Sequence, residues 1–194
     1  MLDCDIMRKI IICLTGMPGS GKTTVAEMLK SKGFTLVELS GELKRLMEVC
    51  GTQVDIHSRE KFTVKLKKAF GRDILAKLSA ASVARAKGNV VISGVRNTAE
   101  LAYIRTLNPN VAMIALLVPK DLRYDRIMHR KEGIPTANYR EFEWRDKRNV
   151  ALGMLQVIRS ADYTLTNTGT VSHLESDIDA ILKKLGGAKR RPAK

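Results

Sequence analysis

Short apolar runs alternate along this chain with longer stretches in which apolar residues return every three or four positions. The runs over about 9–15 (Ile10-Ile11-Ile12-Cys13-Leu14), 34–39, Val90-Val91-Ile92, Val111 to Val118 and Tyr163-Thr164-Leu165 are of strand length, and several are rich in β-branched residues. The longer stretches predict helices near 22–32, 41–50, 58–70, 73–87, 97–107, 120–132, 138–160 and 171–185. Strands apolar on both faces, separated by helices, predict an α/β architecture of three layers. At its centre lies a parallel five-stranded sheet with helices on both faces. In such a sheet ligands bind beyond the carboxyl ends of the strands.

The first strand runs into Gly16-Met17-Pro18-Gly19-Ser20-Gly21-Lys22-Thr23, a complete G-x-x-x-x-G-K-[ST] phosphate-binding loop, with Thr24 next in the following helix. Its glycines let the backbone fold back so that successive N–H groups face one concavity. The helix N-terminus adds partial positive charge at the same spot. Lys22 is placed to reach the β- and γ-phosphates of a nucleoside triphosphate, and the Thr23 hydroxyl to bind Mg²⁺. The strand–loop–helix context separates this motif from a chance glycine-rich loop, so the chain is read as a P-loop NTPase fold that binds ATP and Mg²⁺.

Composition sets the surroundings. With 194 residues and 44% hydrophobic content the chain suits one domain with a substantial core. No run approaches the roughly 18–20 apolar residues of a membrane span. Leu2-Asp3-Cys4-Asp5 puts acid where a signal peptide would be basic. Cys4, Cys13 and Cys50 are widely spaced and lack a C-x-x-C pair, which argues against disulfides or zinc and for a reducing, cytoplasmic setting. Of the net charge of +14, part is local: Lys183, Lys184, Lys189, Arg190, Arg191 and Lys194 make the end of the chain basic. That end reads as a solvated tail; a nucleic-acid contact through it is the alternative and is not favoured. The rest of the excess suits a phosphate-rich site.

Further candidates follow the other strands. In Ser40-Gly41-Glu42-Leu43-Lys44-Arg45, Ser40 reads as a helix N-cap and Arg45 as a bidentate grip on an acceptor phosphate, with a solvated helix residue as the alternative. Ile92-Ser93-Gly94-Val95-Arg96 ends the third strand, and Arg96 emerges beside the cleft of Lys22. Asp73 reads first as a helix N-cap and second as a group orienting the acceptor. Within 120–148, Arg123, Arg126 and Arg130 share one helix face, and Arg140, Arg145, Lys147 and Arg148 lie on the next helix. With the breaker-rich Glu132–Asn138 between them, these helices predict a lid over the transferring phosphates. The interspersed acids, Asp146 among them, leave salt-bridged solvent faces as the alternative. His57, His129 and His173 are scattered and read as non-catalytic, and Trp144 reads as packing for the lid helix.

Together these motifs resemble those of P-loop kinases of the nucleoside monophosphate kinase group, nearest the archaeal adenylate-kinase-related family. The resemblance runs from about Lys9 to Leu185. It rests on Gly16 to Thr23, Ser40-Gly41-Glu42-x-x-Arg45, Ser93-Gly94-Val95-Arg96, Phe142-x-x-Arg145-Asp146-x-Arg148, Ala161-Asp162-Tyr163 and Asn167-Thr168-Gly169. It implies one kinase-like domain over 1–186, with an acceptor-binding helical segment about 41–86 and a lid about 120–148, then a basic disordered tail over 187–194. By the same likeness, Gly16 to Thr24 hold ATP, with Asn167 and Gly169 against its adenine. Arg45, Arg96, Gly41 and Asp73 serve the acceptor, while Lys22, Arg126, Arg130, Arg145 and Arg148 stabilise the transferring phosphoryl group. Two departures matter: Ser93 and Glu42 stand where the group usually has Asp. Thr23, phosphate oxygens and water would then have to hold the metal, with Glu38, Glu42 or Asp73 as nearby acidic alternatives.

The activity expected is ATP-dependent phosphoryl transfer to a small phosphorylated acceptor, first a nucleoside monophosphate, by a monomer or small homo-oligomer away from membranes. Transfer to a hydroxyl, as in dephospho-coenzyme A kinases, is the runner-up and calls for a base that the sequence does not display. A nucleotide-dependent switch or slow ATPase with an RNA or protein partner is the third reading.

Overall fold

The computed structural model describes residues 9–129 and 138–187. Five strands, β1 (Ile11–Thr15), β2 (Thr35–Glu38), β3 (Val90–Ser93), β4 (Val111–Leu117) and β5 (Tyr163–Thr166), form one sheet in the order β2-β3-β1-β4-β5. Every pairing is parallel. The chain builds outward from β1 to one side through β3 and to the other through β4. That reversal makes the carboxyl end of β1 the switch point of the sheet.

The connecting helices are α1 (Lys22–Ser31), α2 (Leu39–Val49), α3 (Ile56–Phe70), α4 (Ile74–Arg85), α5 (Thr98–Leu107), α6 (Lys120–His129), α7 (Tyr139–Ala151), α8 (Met154–Arg159) and α9 (Val171–Gly187). Alternate strand residues point to opposite faces and so feed two separate cores. Ile11, Cys13, Val90, Ile92 and Met113 pack with Leu43 and Met47 of α2, Leu75 and Val83 of α4, Ile104 of α5 and Val157 of α8. Ile12, Leu14, Val91, Ile114 and Leu116 pack with Val25 and Leu29 of α1 and with Leu174 and Ile178 of α9. Each such aliphatic side chain contributes about 1.5–3 kcal/mol on burial, which fixes the sheet against both helical layers.

Three local expectations change. β2 passes straight into α2, whose N-cap is Glu38, so Ser40 lies inside the first turn and is not the cap. α3 starts two residues earlier than the periodicity suggests, because the Asp55 carboxylate accepts the N–H groups of His57 and Ser58. The continuous helix expected over 138–160 is two helices, α7 and α8. Gly153 between them has φ +104, and a Cβ there would lie 3.0 Å from an Arg72 nitrogen and 3.2 Å from the Asn97 Cβ. The helix therefore breaks where the chain must pass closest to its neighbours. Arg130, the Glu132–Ala137 part of the expected hinge and the tail beyond Gly187 lie outside the described residues. Among the described residues no helix is long and apolar enough to cross a membrane.

Candidate active site

The phosphate-binding loop joins β1 to α1, at the switch point. Gly19 adopts φ +81, and a Cβ there would come within 2.6 Å of the Arg123 carbonyl oxygen, so only glycine fits this place in the cradle. Lys22 Nζ donates to the carbonyls of Gly16 at 2.7 Å and Met17 at 3.1 Å, which holds the ammonium across the loop. Two further loop carbonyls are taken by side chains from far along the chain. Pro18 O accepts from Arg123 Nη1 and Ser20 O from Asn167 Nδ2, each at 3.0 Å. Thr23 and Thr24 lie exposed at the start of α1. Asn167, predicted at the adenine, is buried against the loop, while Gly169 is exposed just before α9.

Beside the loop is a cavity of about 210 Å³ whose wall includes Pro18, Ser40, Arg59, Glu60, Arg96 and Arg145. Arg59 comes from α3, with Nη2 3.4 Å from Ser40 O. Burial, and then the positive charge of Arg96, pull its pKa below the ordinary arginine value, with Glu60 and Glu38 offsetting only part of this, although the group stays charged. Two guanidinium groups placed to repel each other in a part-buried pocket gain from an anion between them. Arg96 is fixed from below. Its backbone N–H donates to Glu100 Oε2 at 2.7 Å, and the fully buried Glu100 also takes Lys67 Nζ at 2.9 Å. Arg145 reaches the pocket from α7.

Arg59 and Glu60 are the functional candidates that sequence reading missed. No sequence signal marks them; the structure does, since Arg59 lies four residues before Thr63, a buried residue whose hydroxyl donates to Arg59 O at 2.8 Å. Arg59 therefore lies on the inward stripe of a basic helix, where arginine is out of place unless it has a task.

Other predicted residues lie elsewhere. Arg45 is exposed, 3.5 Å from Glu42 Oε1, and with Gly41 lines a different cavity of about 560 Å³ along β2. The reason is helical geometry: Arg45 is about 200° around α2 from Leu43, which faces the arginine pocket. Asp73 holds the N-cap position of α4 without a side-chain cap bond and pairs instead with Lys77 at 3.0 Å. Arg126 is partly exposed on α6, away from the pocket wall. Arg148 Nε lies 3.8 Å from Glu60 Oε2, and its guanidinium lies 5.9 Å from the Trp144 ring centre. Trp144 in turn packs on His57 at 5.0 Å, so α7 meets α3 at the edge of the pocket. Arg123, predicted to share a face with Arg126, turns inward and is buried against Asp146.

A parallel five-stranded sheet with this loop at its switch point defines a P-loop protein of kinase-like fold. The chain belongs to the AAA domain family, whose model matches residues 12–147, and to the UPF0200 family. A UPF0200 protein of Thermococcus kodakarensis is 31% identical over 185 residues, spanning 91% of this chain and 100% of that one. Among solved structures, TT1252 from Thermus thermophilus superposes with a TM-score of 0.65 at 22% identity, covering 93% of this chain and 100% of that one. Shikimate kinase from Acinetobacter baumannii, in complex with shikimate, gives 0.61 at 18% identity, covering 95% and 98%. The resemblance read from the motifs and the three-layer parallel architecture both hold.

Proposed function

We propose that the protein transfers the γ-phosphoryl group of ATP to a small phosphorylated acceptor, first among them a nucleoside monophosphate. The observation that carries this reading is the convergence of Arg59, Arg96 and Arg145 on one pocket that shares Pro18 with the phosphate loop. An acceptor phosphate held there presents an oxygen to the γ-phosphorus. The new P–O bond forms as the bond from the γ-phosphorus to the β,γ-bridging oxygen breaks, and ADP leaves. An ionised phosphate nucleophile needs no strong base. What it needs is position and charge, which the loop N–H groups, Lys22 and the arginines supply. Among the described residues of 120–148, Arg145 is the arginine on the pocket wall and takes the place next to the transferring group, with Arg126 and Arg148 as outer charge.

Among the described residues no cluster of three or more His, Cys, Asp or Glu side chains could hold a metal. The exposed Thr23 hydroxyl is a hard oxygen donor that fits Mg²⁺ completed by triphosphate oxygens and water. When bound, the ion neutralises charge on the β- and γ-phosphates. Ser93, at 7% exposure, adds no carboxylate to this set.

Glu60 supports a second reading. A carboxylate on the wall of the same pocket can accept a proton from an attacking hydroxyl, which favours transfer to a hydroxyl-bearing anion. ADP formation from Mg-ATP, measured across nucleoside monophosphates, dephospho-coenzyme A, shikimate and a no-acceptor control, separates the readings. Strong stimulation by a nucleoside monophosphate supports the first, and stimulation only by a hydroxyl acceptor supports the second. Equal slow turnover in every well contradicts both and points to a switch or ATPase.

A further inference from the structure

In a trans peptide the carbonyl and the next N–H point in opposite directions. Whatever grips a carbonyl of the loop therefore also aims the N–H that follows it. Arg123 Nη1 grips the carbonyl of Pro18 at 3.0 Å. The same guanidinium is held by both carboxylate oxygens of Asp146, through Nη1 at 2.9 Å and through Nη2. It also lies over the ring of the fully buried Phe142, 5.2 Å from the ring centre. The Arg123 and Asp146 side chains are only 7% and 12% exposed. Taking such a pair out of water cancels much of its attraction, so net stability is a weak account of its presence. What the arrangement secures is a single donor with no freedom, fixed on one loop carbonyl.

We propose that Arg123, locked by Asp146, is a positioning residue: it sets the Pro18–Gly19 peptide plane so that the Gly19 N–H faces the phosphates of the bound nucleotide. This inference rests on the reading of the loop as the nucleotide site. It gives Arg123 a task distinct from that of an arginine touching phosphate. The backbone of Arg123 reinforces the setting, since it closes the space beside Gly19 that any side chain would need. Preorganising the plane before the nucleotide arrives removes an ordering cost from binding.

The test is calorimetric titration of Mg-ATP into the full chain, with thermal melting and the Gly19 amide resonance followed in parallel. The variants are wild type, Arg123→Lys, and the pair Arg123→Met with Asp146→Leu. Removing both charges together leaves no buried ion without a partner, so the paired variant keeps a cooperative melt. Its Kd for Mg-ATP rises about tenfold or more, the scale of a lost charged hydrogen bond, and its Gly19 amide no longer shifts with nucleotide as the wild type does. Arg123→Lys keeps a charge for Asp146 but not the planar fork that reaches carboxylate and carbonyl together, and gives a smaller rise. Wild-type affinity in either folded variant overturns the inference. A wild-type protein that binds no Mg-ATP overturns the nucleotide reading itself, and this inference with it.

Discussion

The phosphate-binding loop and the arginine pocket meet at Pro18, yet they are built in opposite ways. The loop is one contiguous stretch, Gly16 to Thr23, whose shape is set by its own glycines and locked from behind by Arg123 and Asn167. The pocket has no such stretch. Ser40 comes from α2, Arg59 and Glu60 from α3, Arg96 from the turn after β3 and Arg145 from α7. In the proposed function a polyphosphate of fixed geometry is bound by a fixed peptide, whereas the acceptor is gripped by single side chains carried on separate elements. Such a site can be retuned one residue at a time, and it leaves little local trace.

Breaking the donor side should have the largest effect. Lys22→Ala is expected to lower kcat about 10²–10³-fold, the scale of removing one preorganised charge from phosphoryl transfer, with an unchanged melting curve. Loss of the melting transition would move Lys22 from chemistry to structure.

The acceptor side is expected to respond in KM. Arg59→Ala should raise the acceptor KM about tenfold to a hundredfold while leaving the KM for Mg-ATP near wild type. Arg45→Ala should leave both within about twofold, as befits an exposed ion pair with Glu42. The reverse ranking would return the acceptor phosphate to the β2 cavity.

The smallest contrast is between two thiols. Cys13 in β1 lies in the core under the phosphate-binding loop, and burial pushes its pKa up from 9.0 to about 12. Cys50, just past α2, is exposed. Iodoacetamide at pH 8 should label Cys50 in the native protein and reach Cys13 only after unfolding. The unfolded chain loses the Cys13 proton near the ordinary 9.0, whereas the folded chain keeps it to about 12. This contribution to stability is therefore complete below pH 9 and is lost as pH climbs toward 12, which chemical denaturation across that window would register. Native labelling of Cys13 at pH 8 would contradict its burial.

What could be read from the sequence follows the same division. The β1 run, the loop and α1 are contiguous signals, and the alternation of apolar runs with amphipathic stretches gives the parallel sheet without further information. Arg96 was legible because it comes three residues after the end of a buried strand, at the carboxyl edge of the sheet. Arg59 was not, because its inward position depends on how α3 docks, and that docking is decided by Thr63 and its neighbours. The placement of Arg45 along β2, away from the arginine pocket, was not legible either, because it depends on which face of α2 carries Leu43 into that pocket. Arg123 and Asp146 are 23 residues apart in sequence and meet only when α6 and α7 pack, so nothing in a linear reading pairs them.

In the proposed function an acceptor anion sits among Arg59, Arg96 and Arg145 while ATP occupies the adjoining loop. A crystal structure with Mg²⁺ and diadenosine pentaphosphate, which joins two adenosines through one phosphate chain, tests it most directly. One end of that chain is expected in the Gly16 to Thr23 loop and the other end against the three arginines. Phosphates leading instead toward Arg45 and Lys30 along β2, with the arginine pocket empty, would contradict it.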